Sequence, residues 1–514
     1  STTNFRGFTE QYSYDALNRL EFVTDALNQQ TRYTYDAVGN KRSVRDRRGN
    51  TTTYDYDSLD RLTTTTDPLN QTLVNVYDAV GNLRFQTDKR GTTTEHIYDD
   101  LNRLVSSTKS DGTRDIILVR NGYDPEGNVT SVTDAKDHET TYDYDGRGLQ
   151  VAINNPDGTS AAMAYDGAGN RLTYTDEIGQ VTTVVYDDSN RKTSETNHAD
   201  ETTSYQYDLN NNRTRMTQPL GNTMQYVYDE LNRVIEITDG ASNTTRYTYD
   251  DNNNQETHRD AKGNTVRYVY DALDRRTEHQ QPNNLVTTYS YDSEGNVDGM
   301  TDPNGQSFSY AYDALNRQTQ QTLPNSGSAY LQVTSIATVY DANNNPTQIT
   351  EIKNNQQGGA SVTDVTGMVY DLLDRETQNT QRGHTVNYTY DNNGNRSQVS
   401  SAGGSTSYTY DSRNRLITST TGNGTSTYVY TDDSKQERVT YANGTITRYT
   451  YDDADRTETV INEQSDGTLI SSFAYIYDDN GNRTQQIETQ NGFSANQIQT
   501  TTYGFDGANR LTGY

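Results

Sequence analysis

The chain has 514 residues, 30% of them hydrophobic, and its 71 acidic and 43 basic side chains leave a net charge of −28. That acidic balance excludes nucleic acid as the expected partner, and the lack of cysteine excludes disulfides and thiolate metal sites. No apolar run of about 18 residues is present to cross a membrane as a helix, and residues 1–20 lack the basic start and apolar core of a signal peptide.

So low an apolar content would suit a disordered chain. The order of residues argues otherwise, and 42 tyrosines supply strand-favouring apolar area. The first element is Tyr14-Asp15-Ala16-Leu17-Asn18-Arg19. Twenty-one residues on stands Tyr35-Asp36-Ala37-Val38-Gly39-Asn40, and at the same step come Tyr56-Asp57-Ser58-Leu59-Asp60-Arg61 and Tyr77-Asp78-Ala79-Val80-Gly81-Asn82. A fixed period of this length marks a repeat architecture. The series includes Tyr228, Asp229, Asn232 and Arg233 and runs to Tyr477, with Phe505 in the last place, 23 units in all. It predicts one continuous array over residues 1–514, regular over 12–312 and irregular over 313–514. The wider spacings at 98–123, 312–370 and 451–505 are the expected places for specialised loops.

Each unit has two clusters of turn residues. One is the Tyr-Asp motif. The other lies midway, as in Asp46-Arg47-Arg48-Gly49, Asp67-Pro68-Leu69-Asn70 and Asp302-Pro303-Asn304-Gly305. Asp, Asn, Pro and Gly favour turns through side-chain hydrogen bonds, preset φ or tolerance of positive φ. Two turns joining two short strands make each unit a β-hairpin, and the sequence a hairpin meander.

Four residues after each register aromatic stands Gly, Asn or Asp, with Ser434 the exception. These are the residues that enter the left-handed region at low cost, so a positive φ is expected there. The Asp that follows the tyrosine is expected to accept N–H groups of its own turn. The next position alternates between Arg19 and Asn40, Arg61 and Asn82, and onward, with Leu149 and Lys435 as exceptions. The true sequence period is therefore two hairpins, about 42 residues. The alternation predicts two turn environments, with the arginines bonding carboxylates or carbonyls of adjoining turns.

A second tyrosine often stands two residues before the first, as at Tyr12, Tyr33, Tyr54, Tyr226 and Tyr268. Residues i and i+2 share a strand face. Neighbouring hairpins are expected to align them in an aromatic ladder, flanked by aliphatics such as Leu20, Leu62 and Leu83.

The predicted fold class is all-β, a spiralling antiparallel sheet of about 23 hairpins forming a hollow single-walled shell or tube. A flat sheet of that many strands would have to curl. A propeller with blades of about 42 residues is the alternative closure, ranked second because the array would need about eleven blades against the usual four to eight.

The recurring Tyr-Asp-x-x-Gly-Asn and Tyr-Asp-x-Leu-Asn-Arg, with Thr-Asp-Pro turns between them, resemble the YD repeats of the Rhs family. Those repeats occur in bacterial polymorphic toxins, toxin-complex cocoons, wall-associated proteins and animal teneurins. The resemblance covers residues 12–514. It implies a hairpin shell that, in the toxin members, encloses a cytotoxic C-terminal segment. The Asp-Pro-x-Gly-Leu core motif of those toxins does not follow Thr502, so the array is expected to be the middle of a longer chain or a unit whose ends are covered by neighbours.

Candidate chemistry is sparse. The six histidines are scattered, and no phosphate loop or nucleophile elbow is present. Residues 250–254, 391–395 and 478–482 resemble calcium loops but lack the spaced closing acid. No catalytic residue, cofactor or metal is expected. Two readings remain open. One is a shell that encapsulates a flanking polypeptide of the same chain. The other is an extracellular filament, stalk or adhesin built by self-association, with cell-surface glycans as further partners. Both place the protein in a secreted or cell-surface setting.

Overall fold

In a computed structural model, which describes residues 1–324, 331–354, 361–491 and 497–514, the chain is an open antiparallel β-solenoid of short hairpins. A regular unit contains a six-residue and a five-residue strand, as in Gln30–Tyr35 and Lys41–Arg45, then Thr51–Tyr56 and Leu62–Thr66. Each strand pairs with its neighbour in sequence. From Thr9–Tyr14 to Leu104–Ser110, ten consecutive strands are joined this way without a break. Propeller blades would interrupt that ladder, so the solenoid stands and the propeller does not.

The register slips by one residue at the motif tyrosine, between Thr34 and Tyr35, Asp55 and Tyr56, and Val76 and Tyr77. A bulge at this place bends the strand and adds right-handed twist. Because it recurs in every regular unit, the sheet turns by repetition of one local feature.

The chain divides into two compact units. One comprises Ser1–Leu118 with Tyr247–Tyr388, the other Val119–Arg246 with Thr389–Tyr514. In each, a first row of hairpins meets a second row about 250 residues later in sequence. Few apolar side chains are fully buried, among them Ile116, Ala161, Val184, Leu372 and Val439. Several carboxylates, including Asp25 and Asp67, are buried as deeply. The hairpins therefore depend heavily on polar contacts at their turns.

The wider spacings are taken up differently from expectation. Extra residues lengthen strands, giving nine-residue Asp115–Tyr123, Gln332–Tyr340, Pro346–Asn354, Val362–Tyr370 and Leu469–Tyr477. Antiparallel pairing can extend two residues at a time while keeping every side chain on its face, so insertions add ladder. Residues 325–330, 355–360 and 492–496, which include parts of the expected specialised loops, lie outside the described residues. Shortened units occur as well. Glu376–Gln381 and His384–Tyr390 are joined by Arg382 and Gly383, both at positive φ, the signature of a two-residue hairpin turn.

Candidate functional site

The Tyr-Asp turn is built from its aspartate. The Asp15 Oδ1 accepts the N–H groups of Leu17 and Arg19 at 2.9 Å each. Asp36 does the same for Val38, Gly39 and Asn40 at 2.8–3.0 Å, and Asp78 and Asp229 repeat the pattern. The fourth residue after the aromatic has φ between 58° and 108° in every unit, Asn18, Gly39, Gly81 and Asn232 included. Ser434, at φ 70°, adopts the same conformation despite its chemistry. Midway turns use the same device: Asp67 Oδ1 accepts from Leu69 and Gln71, and Asn70 has φ 62°.

These bonds hold the carboxyls acidic. The Asp15 carboxyl lies below the usual range because of the Arg19 N–H and then the Arg19 guanidinium. For Asp229 the Arg233 side chain contributes most. Desolvation pushes Asp36 and Asp78 upward, and the N–H groups and amides of Asn40 and Asn82 outweigh it.

The alternating position distinguishes two turn types. In the arginine type, Arg19 Nε donates to Asp15 Oδ2 at 2.7 Å, Nη1 donates to the Asp36 carbonyl of the next turn at 2.7 Å, and the guanidinium lies 4.8 Å from the Tyr35 ring centroid. Arg61 bridges Asp57, the Asp78 carbonyl and the Tyr77 ring in the same manner. Arg233 closes on Asp229 at 2.7 Å. In the asparagine type, Asn40 Nδ2 reaches its own Asp36 Oδ2 at 3.1 Å and Asp60 Oδ1 of the next turn at 2.8 Å. Asn82 links Asp78 to Asn102 in the same way.

The tyrosines tie hairpin to hairpin. The hydroxyls of Tyr35 and Tyr77 donate to the carbonyls of Leu20 and Leu62, and that of Tyr228 to the carbonyl of Arg213, each at 2.9 Å. Tyr14, first in the series, is 55% exposed. A ladder of tyrosine stacked on tyrosine is not what forms. The stacked ring pairs among the described residues are Tyr247 on His258 and Tyr268 on His279. Across the strand pair the i−2 tyrosines face mixed partners: Tyr12 and Tyr33 face Val23 and Val44, whereas Tyr54 faces Thr65, Tyr268 faces His279 and Tyr310 faces Gln321. Strand twist and the recurring bulge set these pairings.

Rows of turns meet at a polar seam. In the first unit, midway turns of one row carry an arginine at their third place that reaches into the Tyr-Asp turns of the next row. Arg6 donates to the carbonyls of Tyr270 and Asp271 at 3.0 and 2.9 Å and to Asp274 Oδ1 at 2.7 Å, and it lies 3.4 Å from Asp250. Arg48 takes the Asp313 carbonyl and Asn316 Oδ1 and faces Asp292 at 3.7 Å. Arg90 takes the Tyr370 carbonyl at 3.2 Å and Asp374 Oδ1 at 2.6 Å and faces Asp341 at 3.6 Å. Asp250, Asp292 and Asp341 all belong to asparagine-type turns. The short Asn leaves the outer face of the aspartate open, and the incoming guanidinium fills it. The residue before the seam arginine reaches along its own row: Arg47 to Asp25 at 3.3 Å and Lys89 to Asp67 at 2.6 Å.

The second unit continues this with Lys136 on Asp391 at 3.2 Å and then reverses polarity. Arg413 of its second row pairs with Glu177 at 2.8 Å, Arg415 with Asp157 at 3.2 Å, and Arg456 with Glu201 at 3.0 Å. At its end the turns touch backbone to backbone. A Cβ on Gly240 would stand 1.8 Å from the Gly507 carbonyl oxygen. Nothing in the Tyr-Asp motif marks the seam cations. Their signal is the 42-residue spacing of positions 6, 48 and 90, in phase with the asparagine-type turns.

The calcium-like stretches are themselves asparagine-type turns. Their carboxylates bind their own N–H groups and amides, as Asp391 does with Asn395 and Asp478 with Asn480 and Asn482. Asp176, Asp433 and Asp455 also converge, with the Lys435 ammonium bonded to Asp433 and Asp455.

The Teneurin YD-shell family matches residues 211–372 and 360–508, more than half of the sequence. The chain belongs to this family. The RHS Repeat family matches the YD-shell chain over residues 37–72, 77–114, 123–160 and 186–223. Among solved structures, the TcdB2-TccC3 complex aligns with 98% of the YD-shell chain at a TM-score of 0.64 and 13% identity. The Tc holotoxin pore of Photorhabdus luminescens aligns with 97% at a TM-score of 0.53 and 14% identity. At such identities the likeness concerns the fold. The YD-shell chain spans about a third of the length of these chains, 32% and 33%. No curated protein matches it by sequence.

Proposed function

We propose that the chain is a length of non-catalytic containment wall that sequesters a flanking polypeptide, as part of a secreted or cell-surface bacterial protein. The observation that carries this reading is the seam. A sheet made only of neighbouring hairpins would be a ribbon open along both edges. Here turns about 250 residues apart are stapled by buried or half-buried guanidinium–carboxylate contacts, which makes a wall more than one hairpin wide within each unit. The carboxylates are spent on turn N–H groups and seam cations, so they serve construction. Their repetition supports a structural role over a catalytic one. The fold shared with TcdB2-TccC3 supports the same use, and no helix among the described residues is long and apolar enough to cross a membrane.

The test is protection of a passenger. An unstructured, protease-sensitive reporter appended after Tyr514 should be cleaved at least tenfold more slowly than the free reporter, with the hairpins intact. Cleavage at the free rate would refute containment. Images showing long end-to-end fibres would favour the filament instead.

A further inference from the structure

The seam supplies a rule for what covers a row of Tyr-Asp turns, and the first row of the first unit has the same acceptors uncovered. A seam arginine meets up to four groups: the Oδ2 of an asparagine-type Asp, the carbonyls of the next Tyr and Asp, and the Oδ1 of that turn's left-handed residue. Arg6 makes all four contacts, at Asp250, Tyr270, Asp271 and Asp274.

In the first row, Asp36, Tyr56, Asp57 and Asp60 repeat this set, with Asn40 pinning Asp60 as Asn254 pins Asp274. Asp78, Tyr98, Asp99 and Asn102 form a second set 42 residues on, beneath a hollow of about 460 Å³. Among the described residues no lysine or arginine forms an ion pair with Asp36 or Asp78, whereas Asp250, Asp292, Asp341 and Asp391 all have one. The apolar side chains at the tips agree. Leu17, Val38, Leu59 and Val80 of the first row are 67–73% exposed. Leu273, Leu315 and Leu373, at the same place in the second row, are half-buried.

We propose that this first-row turn edge is a docking surface for a further row of β-hairpins that carries arginine or lysine at the third place of alternate midway turns, 42 residues apart. The occupant's charge pattern argues against a second copy. The matching turns of this chain, at Arg6, Arg48 and Arg90, are already engaged in its own seam. Among the described residues, the four-residue midway turns of its second row carry Lys262, Asn304, Asn443 and Asp466 at the third place, one cation among four. This edge is a separate surface from whatever the wall encloses. The chemistry of the partner's turns defines the partner.

The test extends the complete chain with a copy of residues 1–256 placed before Ser1, which preserves the alternation of turn types. Arg48 and Arg90 of the added copy then fall opposite Asp36 and Asp78. Hydrogen exchange at the amides of 38–40, 59–61 and 80–82 should slow at least tenfold relative to the unextended chain. Arg48→Gln with Arg90→Gln in the added copy alone should restore the original rates. Unchanged exchange in an extended chain whose circular dichroism shows the added strands would overturn the proposal. If the extension does not fold, a cyclised hairpin peptide of residues 42–54 added to the unextended chain is the second probe. It should shift the NMR amide signals of the 36–40 and 57–61 turns, and its Arg48→Gln version should not. Equal shifts with both peptides would overturn the proposal, as would sedimentation showing that the unextended chain stacks on itself through this edge.

Discussion

Arg90→Gln tests whether the seam or the individual hairpin carries the stability of the first unit. The guanidinium donates to Asp374 Oδ1 at 2.6 Å and to the Tyr370 carbonyl at 3.2 Å, and its side chain is 22% exposed. Charge-assisted hydrogen bonds of this kind contribute about 1.5 kcal/mol each after exchange with water, and glutamine can keep one neutral bond of about 1 kcal/mol. The expected loss is about 2 kcal/mol, or roughly 30-fold in a local opening constant. Repeat arrays do not open as one two-state body, so the measurement is native-state hydrogen exchange at the turns 341–345 and 371–375. Arg32→Gln is the comparison. Arg32 pairs with Glu21 at 3.2 Å on the open strand surface, and such pairs contribute less than about 1 kcal/mol. If Arg90→Gln costs no more than Arg32→Gln, the rows are not held by their cations and the stapled wall is wrong.

Four further outcomes follow from the turns. Asn18, at φ 59°, should accept glycine within a few tenths of a kcal/mol and lose about 1 kcal/mol as alanine, read by exchange at the 15–19 turn. Tyr77→Phe removes the hydroxyl bond to the Leu62 carbonyl but keeps the Arg61 contact. It should cost about 1 kcal/mol, and Tyr77→Leu measurably more, by denaturant-dependent exchange. Gly240→Ala places a methyl against the Gly507 carbonyl and should release the 506–510 turn, seen as fast exchange of Asn509 and Arg510 amides. For pH, the folded carboxyls of Asp15, Asp57 and Asp229 lie below the ordinary 3.8. Their stabilisation is complete above the unfolded value and is lost as pH falls through 3.8 toward the folded values. Acid titration followed by circular dichroism should therefore show a progressive loss of strand signal beginning below about pH 4, and Arg61→Gln should move the Asp57 carboxyl resonance to a higher midpoint.

Local structure was legible because each rule acts within a few residues. Asn18, Gly39 and Asp60 mark left-handed positions by their own chemistry, and Asp15 and Asp36 can reach only the N–H groups beside them. The alternation of Arg19 with Asn40 likewise points to two environments. What meets across the seam was not legible. The pairing of Arg6 with Asp250 depends on the twist summed over all the intervening hairpins, including the bulge at each tyrosine, and no single turn encodes that sum. The wider spacings misled for a related reason. In a meander an insertion can extend a ladder, as in Gln332–Tyr340 and Pro346–Asn354, as readily as it can form a loop.

The seam cations stand on every second hairpin, and that spacing has a mechanical consequence. Force applied to one end of an antiparallel meander peels strands one pair at a time. A hairpin of 21 residues releases about 70 Å of chain when it opens. Peeling from Ser1 should therefore meet weak and strong resistance in alternation, with the larger force needed as Arg6, Arg48 and Arg90 leave their acceptors in turn. The wall would yield in strides of two hairpins.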